Sequence, residues 1–188
     1  LVKRNKKFFF LDLTEGMDFA ILLNIYENNV VNFYSKLIKT NYVIIDVGSN
    51  IGFHTLNFAE LCPKGKVYSI EPTSFGFNKL KKNINLNPNL KKVIISDRIF
   101  FSRLNIKKEN KYVYASWPLI KKNEKIHPVL MGVGKKINKA RVESLDDYVL
   151  RRKINKIDMI KIDVDGNEYD VIKSSVKSIQ NFKPIIIL

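Results

Sequence analysis

Apolar residues recur at helical spacing over residues 17–38, and the pattern changes abruptly after them. The spacing predicts one or two helices that bury an apolar stripe. The members of this stripe are Phe19, Leu22, Leu23, Tyr26, Val30, Phe33 and Leu37. Residues 42–47 are a short run rich in β-branched side chains, which is typical of a buried strand. A glycine turn follows, and helical spacing then continues to about residue 61.

The same alternation is repeated further along the chain. The apolar pattern predicts a strand over 66–70, a helix over 75–86 and a third strand over 92–96. Strands that alternate with helices pair in parallel and are joined by crossover helices. The sequence therefore predicts an α/β fold with a mostly parallel central sheet flanked by helices.

Residues 98–143 are less regular, because proline and glycine interrupt several short extended runs. We interpret them as an irregular, β-rich insertion that contains one or two hairpins. Alternation then returns and predicts a helix over 145–152, a strand over 157–164, a helix over 168–179 and a strand over 184–188.

No internal repeat and no low-complexity linker divides the chain. We therefore expect one domain over 41–188, preceded by a helical segment over 1–40 that packs on its core. The run 184–188 is apolar throughout, as in a parallel strand covered on both faces. The sequence contains no signal that sets an oligomeric state.

The chain carries 33 lysine and arginine residues against 18 aspartate and glutamate residues, for a net charge of +15. Such an excess suits an anionic partner such as nucleic acid. Lysine, asparagine and isoleucine are all abundant, however, as compositional drift in AT-rich coding DNA would produce. The basic residues are spread along the chain and do not alternate with aromatic residues as in a base-stacking surface. Drift is therefore the preferred explanation, and a nucleic-acid partner is the alternative.

Two absences bear on the compartment. No run of about 20 apolar residues and no signal-peptide pattern is present, so we expect no membrane span and a cytoplasmic protein. The single cysteine, Cys62, cannot form an internal disulfide, which agrees with a reducing compartment. We expect Cys62 to be a small buried side chain and not a nucleophile.

The turn after the first strand has the chemistry of a cofactor site. Gly48, Ser49, Asn50 and Gly52 lie in this turn, and glycine lets the backbone approach a ligand closely. Asp46 precedes the turn, and the spacing differs from the Gly-x-Gly-x-x-Gly of dinucleotide-binding loops. A carboxylate here would repel a pyrophosphate but suits S-adenosylmethionine, which carries an ammonium and a sulfonium. We therefore predict that these five residues bind S-adenosylmethionine.

Further polar residues end the next two strands. Glu71 ends the second strand, where a carboxylate can accept hydrogen bonds from both ribose hydroxyls. Ser96 and Asp97 end the third strand, and we expect them beside the adenine. His54 falls in the first turn of the helix that follows the glycine turn, close to the predicted site. A purely structural role as helix-capping carboxylates is the alternative for Asp46 and Glu71.

Several segments resemble the FkbM family of methyltransferases. The segment 46–53, DVGSNIGF, resembles the family's first motif, and Glu71-Pro72 with the asparagines of 83–85 looks like its second. SLDDY at 144–148 followed by KIDVDGNE at 161–168 resembles the most distinctive segment of the family. The resemblance implies a Rossmann-like class I methyltransferase fold, S-adenosylmethionine as cofactor, and O-methylation of a sugar, glycolipid or polyketide hydroxyl.

The resemblance also qualifies two expectations. The family usually has glutamate where Asp165 stands, and aspartate keeps the charge but shortens its reach. In the class I sheet two more strands normally follow the fifth. We therefore expect this chain to be cut at its C-terminus and to expose an apolar edge strand.

An alcohol that accepts a methyl group must lose its proton during attack. Asp163 ends the fourth predicted strand, at the sheet edge where open α/β folds bind ligands, and Glu168 begins the next helix. We predict that these two residues are catalytic. With Asp165 they could instead hold Mg²⁺, although we expect no resident metal. The remaining alternative is that Asp165-Gly166 forms a turn and Glu168 stabilises the helix N-terminus.

Two other functions stay open. An RNA ribose methyltransferase agrees with the charge, whereas methylation of exocyclic amines disagrees with Asp163-Val164-Asp165-Gly166 after the fourth strand. A non-catalytic Rossmann-like binding domain is the second alternative, although the glycine spacing and Asp46 disfavour NAD. A small-molecule or glycan acceptor is preferred.

Overall fold

The computed structural model describes residues 1–103, 112–119, 126–129, 131–137 and 139–188. The chain begins with a small antiparallel hairpin of β1 (Val2–Arg4) and β2 (Lys7–Phe9), which the apolar pattern did not predict. The side chain of Asn87 accepts a hydrogen bond from the Phe8 amide and donates one to its carbonyl. The Asn87 side chain thereby satisfies backbone groups of Phe8 that a neighbouring strand would otherwise pair with.

The helices expected over residues 17–38 are present as two short ones, α1 (Gly16–Leu22) and α2 (Asn28–Ser35). The prediction of a continuously buried stripe is wrong in part, because Phe19, Leu23 and Phe33 are exposed. The cause is the break between the helices, which changes the phase of the helical repeat, so that Tyr34 is buried while Phe33 faces solvent.

The first half of the core follows the predicted alternation closely. It consists of β3 (Val43–Val47), α3 (Phe53–Leu61), β4 (Lys66–Ile70), α4 (Ser74–Asn85), α5 (Pro88–Lys91) and β5 (Ile94–Asp97). Thr73 caps α4, because its side-chain hydroxyl accepts a hydrogen bond from the Gly76 amide. Cys62, at the end of α3, is fully buried as predicted.

The insertion contains β6 (Ile99–Phe101), β7 (Tyr112–Ser116), β8 (Val133–Lys136) and β9 (Arg141–Glu143). Strands β7 and β8 form the predicted hairpin, and their register shifts between Tyr114 and Ser116. Strands β6 and β9 pair in parallel. The rest of the insertion, 104–111, 120–125, 130 and 138, lies outside the described residues, and so does the end of the extended run expected after residue 98.

The second half of the core consists of α6 (Leu145–Arg151), β10 (Met159–Ile162), α7 (Glu168–Lys173), α8 (Val176–Phe182) and β11 (Ile185–Ile187). The single helix predicted over 168–179 is divided at Ser174 and Ser175. Both hydroxyls donate back to carbonyls of the preceding turn, which competes with continuation of the helix. Asp146 then accepts hydrogen bonds from the first turn of α8.

Within the described residues, five strands form the central sheet in the order β11-β10-β3-β4-β5, and all neighbours are parallel. Apolar clusters cover both faces of this sheet, and Ile44 and Ile45 of the central strand are fully buried on opposite faces. The chain first progresses from β3 to one edge and then crosses back to β10 on the other side of β3. This reversal opens a crevice at the carboxyl ends of β3 and β10, where open α/β sheets bind ligands.

Candidate cofactor and acceptor site

A cavity of about 260 Å³ lies at the carboxyl ends of the central strands. Four parts of the chain line it: the turn after β3, the end of β4, the turn after β10, and a roof made by the N-terminal segment and the insertion. The polar lining residues are Glu27, Gly48, Ser49, Asn50, His54, Glu71, Asp163, Asp165 and Asn167. The main apolar and aromatic ones are Met17, Tyr26, Pro72, Ile99, Phe100, Tyr114 and Trp117.

The turn after β3 holds the geometry that its glycines predicted. Gly48 has a φ of +84°, and a Cβ there would lie 1.8 Å from the carbonyl oxygen of Asp163. Gly52 has a φ of +88° and begins α3, and a Cβ there would lie 2.7 Å from the Leu80 side chain. The first glycine is therefore required by its backbone angle and by the close approach of the neighbouring strand end.

Asp46 and Ser49 lie under this turn. Asp46 is fully buried, and its Oδ2 accepts a hydrogen bond from Thr55 Oγ1 at 2.5 Å. Ser49 Oγ donates to the Asp46 carbonyl and accepts from the Ile70 amide. Asp46 does not line the cavity, so its predicted direct contact with a cofactor stays a prediction, whereas its role in supporting the turn is visible.

Glu71 lines the cavity and is almost completely buried. Its Oε2 accepts a hydrogen bond from the Asn50 amide at 3.0 Å, and its Oε1 accepts from the Thr73 amide at 2.9 Å. Burial raises the pKa of Glu71, while these hydrogen bonds act in the opposite direction. A carboxylate oxygen has two acceptor positions. Oε1 also accepts a hydrogen bond from the Thr73 hydroxyl and is therefore fully used, whereas Oε2 can still accept a hydroxyl of a ligand.

The structure does not bring the two residues at the end of β5 to the cavity. The Asp97 carboxylate accepts a hydrogen bond from the Tyr148 hydroxyl at 2.8 Å and pairs with Arg152. Ser96 pairs in register with Ser69 of β4. The residues that line the cavity after β5 are instead Ile99, Phe100 and Phe101. The predicted adenine contacts of Ser96 and Asp97 stay predictions.

Charged residues gather where β10 ends. Lys161 is almost fully buried, and its Nζ donates to Asp163 Oδ2 at 2.8 Å. Burial would lower the pKa of Lys161, but the charges of Asp163 and Asp46 outweigh it and raise that pKa. Burial, with the charges of Asp163 and Glu168, raises the pKa of Asp165 to about 6. The cavity thus holds Asp163, which is paired with Lys161, beside the more basic Asp165.

Glu168, predicted to be catalytic, does not line the cavity. Its carboxylate accepts hydrogen bonds from the amides of Val164 and Gly166, at 3.2 Å and 3.0 Å. It therefore holds the turn in which Asp165 has a φ of +47° and Gly166 a φ of +101°. Glu168 is placed to position the turn that carries Asp163 and Asp165, and its predicted catalytic role stays a prediction.

Sequence reasoning missed the residues that the N-terminal segment contributes. Glu27 Oε2 lies 2.8 Å from His54 Nε2, and His54 Nδ1 lies 3.1 Å from the Tyr34 hydroxyl. His54 lines the cavity, as its position near the site predicted. Glu27 carried no local signal, because it lies far before the glycine turn in sequence and reaches the cavity only through the packing of α2 on α3.

The N-terminal segment and the insertion are joined above the cavity. The Glu15 carboxylate accepts hydrogen bonds from the Ser116 hydroxyl at 2.9 Å and from the Trp117 amide at 2.8 Å. The Trp117 carbonyl accepts a hydrogen bond from the Gly16 amide at 2.7 Å. Trp117 and Tyr114 therefore lie over the cavity as a fixed aromatic roof.

The cavity fits a nucleoside that carries a charged tail. Its β4–β5 side has Glu71 with the apolar Pro72, Ile99 and Phe100, whereas its β10 side is charged. Asn50 Oδ1 is buried with no hydrogen-bond partner among the described residues, although Asn50 lines the cavity. An acceptor of this kind suits a donor group on a ligand. The residues present therefore agree with S-adenosylmethionine in polarity and charge.

The fold and the cavity together define an α/β methyltransferase-like domain. The family model for the methyltransferase FkbM domain matches residues 46–188, so the chain belongs to the FkbM methyltransferase family. A comparison with curated proteins gave no significant match.

Two solved structures of methyltransferases are similar to part of this fold. The precorrin-6y C5,15-methyltransferase of Geobacter metallireducens GS-15 has a TM-score of 0.47 and 12% identity, with 80% of this chain and 56% of that chain covered. An rRNA methylase of Streptococcus thermophilus has a TM-score of 0.46 and 12% identity, with 82% and 63% covered. The chain therefore spans only part of the length of these structures, and at this identity the likeness concerns the fold alone.

None of the helices in the described part of the chain has both the length and the apolar character that crossing a bilayer requires.

Proposed function

We propose that this chain binds S-adenosylmethionine in the cavity and transfers its methyl group to a hydroxyl of a sugar, glycolipid or related metabolite. One observation carries the proposal. Glu71 and the Asp163–Asp165 turn lie on opposite sides of the Gly48 turn and face one cavity. Strands lie about 4.8 Å apart, so the ends of β4 and β10 are separated by roughly 10 Å, which suits a ligand that lies across the central strand.

The β4 side of the cavity is suited to the nucleoside. Glu71 Oε2 offers an acceptor to a ribose hydroxyl, and the Asn50 and Thr73 amides hold its carboxylate in place. The apolar side chains after β5 offer a surface on which adenine can pack. The position of Gly48, Ser49 and Asn50 in the cavity lining supports their predicted roles. Gly52 stands at the N-cap of α3 and does not line the cavity, so its cofactor contact stays a prediction, and Asp46 supports the turn from below.

The β10 side is suited to the chemistry. Bound here, S-adenosylmethionine would supply a methyl group attached to a positively charged sulfur. Asp165 would accept the proton of the acceptor hydroxyl as its oxygen takes the methyl group, and S-adenosylhomocysteine would be the leaving group. A carboxylate with a pKa near 6 is a more effective base at neutral pH than an ordinary one. Asp163, predicted from sequence to be catalytic, pairs with Lys161 and lines the same cavity, so it is the second candidate for the base.

The first test is cofactor binding measured by thermal shift and titration calorimetry. S-adenosylmethionine and S-adenosylhomocysteine should both stabilise the protein, by about 2.7 kcal/mol at 100-fold excess over Kd, whereas NAD should not. Stabilisation by NAD alone would overturn the proposal in favour of a dinucleotide-binding domain. Binding of S-adenosylmethionine without methyl transfer to any hydroxyl acceptor would favour the non-catalytic alternative.

The acceptor class has its own test. Labelled methyl transfer to a panel of sugars and glycolipids is compared with transfer to RNA, and RNA binding is measured across a range of salt concentrations. We expect transfer to a carbohydrate hydroxyl and only weak, strongly salt-dependent binding of RNA, as dispersed positive charge produces. Efficient methylation of ribose in RNA would replace the carbohydrate acceptor.

A further inference from the structure

Glu27 occupies an unusual position for a residue outside the family domain. It precedes the region that the FkbM model matches, yet it lines the cavity. It stands at the N-cap position of α2, with φ 43° and ψ 36° in the left-handed region. Its side chain makes no hydrogen bond to its own helix and turns into the cavity instead.

The backbone of Glu27 is costly for this residue type. The left-handed region disfavours residues that carry a Cβ atom, and strained residues of this kind are found at ligand sites. Helix capping does not explain the conformation, because the residues favoured at an N-cap are short polar ones and Glu27 makes no capping bond. What the conformation achieves is to direct a carboxylate at the cavity.

His54 holds this carboxylate in place. Its Nε2 lies 2.8 Å from Glu27 Oε2, and its Nδ1 contacts the buried Tyr34 hydroxyl at 3.1 Å. The neutral tautomer with its proton on Nε2 satisfies both contacts, since Nε2 then donates and Nδ1 accepts. Both ring nitrogens are thereby engaged, so His54 positions Glu27 and is not placed to take a proton from an acceptor.

Among the carboxylates of the charged side, Glu27 is the one best suited to bind an ammonium group. The hydrogen bond from His54 lowers the pKa of Glu27 and outweighs its partial burial. Asp163 is already paired with Lys161, and Asp165 has a raised pKa. Carboxylates of one cavity with pKa values moved in opposite directions suit different roles. Glu27 stays anionic at neutral pH, whereas Asp165 can take up a proton.

We propose that Glu27, held by His54, binds the α-ammonium of the cofactor's amino-acid end on the β10 side of the cavity. The inference deepens the proposed function and rests on it. Glu27 lies close enough to Lys161 and Asp165 for their charges to interact. The amino-acid end therefore lies on the side opposite Glu71, and the preceding segment completes a site that the family domain begins.

The test compares two ligands that differ only in the amino-acid end. S-adenosylhomocysteine carries the ammonium and carboxylate, whereas 5′-methylthioadenosine carries neither. Kd values for both are measured by titration calorimetry on the wild type, on Glu27→Gln and on Glu60→Gln. Glu60 lies on α3 and pairs with Lys7, away from the cavity, so it is a matched control. Retained binding of 5′-methylthioadenosine shows that the variant is folded.

Loss of a hydrogen bond between charged groups weakens binding roughly tenfold to a hundredfold. Glu27→Gln should raise the Kd of S-adenosylhomocysteine by that factor and leave the Kd of 5′-methylthioadenosine within about twofold of the wild-type value. Glu60→Gln should change neither Kd. His54→Phe should shift the ratio of the two Kd values in the same direction but by less, because Glu27 loses its histidine partner and keeps the hydrogen bond with Tyr26.

Two results would overturn the inference while leaving the proposed function in place. One is an unchanged Kd of S-adenosylhomocysteine in Glu27→Gln. The other is an equal loss of affinity for both ligands in Glu27→Gln. If the wild type binds neither compound, the proposed function fails, and this inference fails with it.

Discussion

The carbonyl oxygen of Asp163 lies 1.8 Å from the position that a Cβ atom on Gly48 would occupy. The first strand of the sheet and the strand that returns beside it therefore end in direct backbone contact. This contact brings the turn after β3 and the carboxylates after β10 to the same cavity.

We predict that Gly48→Ala destabilises the protein by more than 2 kcal/mol and abolishes ligand binding. The left-handed φ alone costs about 1–2 kcal/mol, and the contact with the Asp163 backbone adds to it because backbone cannot yield as a side chain can. Urea denaturation measures the loss.

Gly166→Ala is the matched control for this prediction. Gly166 has a φ of +101°, but a Cβ there would have nothing within 4 Å. It should show only the cost of the backbone angle. Equal losses for the two variants would mean that the contact between Gly48 and Asp163 contributes nothing.

Glu71→Ala should remove most of the stabilisation that S-adenosylmethionine gives. The substitution removes the acceptor of a ribose hydroxyl and leaves the Asn50 and Thr73 amides without theirs. The quantity to compare is the ligand-induced thermal shift of each variant, since subtracting the ligand-free value removes the loss of stability itself. Glu60→Ala should keep the full shift. A full shift in Glu71→Ala would refute the assignment of Glu71.

Asp165→Asn should lower the rate of methyl transfer by roughly 10²- to 10⁴-fold, as expected for loss of a general base, with little change in cofactor Kd. In the wild type the rate should fall as pH drops below about 6, where Asp165 becomes protonated. Asp170→Asn, on the following helix, is the control. If Asp163→Asn slows transfer and Asp165→Asn does not, Asp163 is the base, in agreement with its predicted catalytic role.

The same carboxyl group gives a stability prediction. The pKa of Asp165 is about 6 in the folded protein against an ordinary 3.8, so between these values the folded state binds more protons than the unfolded one. Its contribution to stability is present below pH 4 and is lost as pH rises through 6. Urea denaturation from pH 4 to 7 should show a smaller decline in Asp165→Asn. An identical decline in both proteins would contradict the raised pKa.

Methyl transfer should persist in EDTA. Glu168, one of the three carboxylates that could have formed a magnesium site, is occupied by the amides of Val164 and Gly166, and Asp163 is paired with Lys161. The assay compares rates with chelator and with added Mg²⁺. Activity that is lost in EDTA and restored by Mg²⁺ would establish the metal-assisted alternative.

The sequence by itself determined the parallel α/β core and the order of its strands and helices. The reason is that the alternation of β-branched runs with helical spacing is a local property that packing preserves in a buried core. It also identified the turn at Gly48 and the carboxylate Glu71, because backbone angle and strand-end position are encoded within a few residues. The division at Ser174 was not predicted, because serine hydroxyls that donate to the preceding turn end a helix whose apolar spacing continues. The change of phase between α1 and α2 was not predicted either, because the apolar spacing does not show where one helix ends and the next begins.

Only the tertiary structure decided which side chains face the cavity. Asp163 and Glu168 are close in sequence, yet Asp163 lines the cavity, whereas Glu168 accepts hydrogen bonds from the turn between them. Glu27 and the roof residues Tyr114 and Trp117 come from segments far from the motifs. Their positions depend on packing between distant segments, such as the contact of Glu27 with His54, and no local pattern of residues records which distant partner a side chain meets.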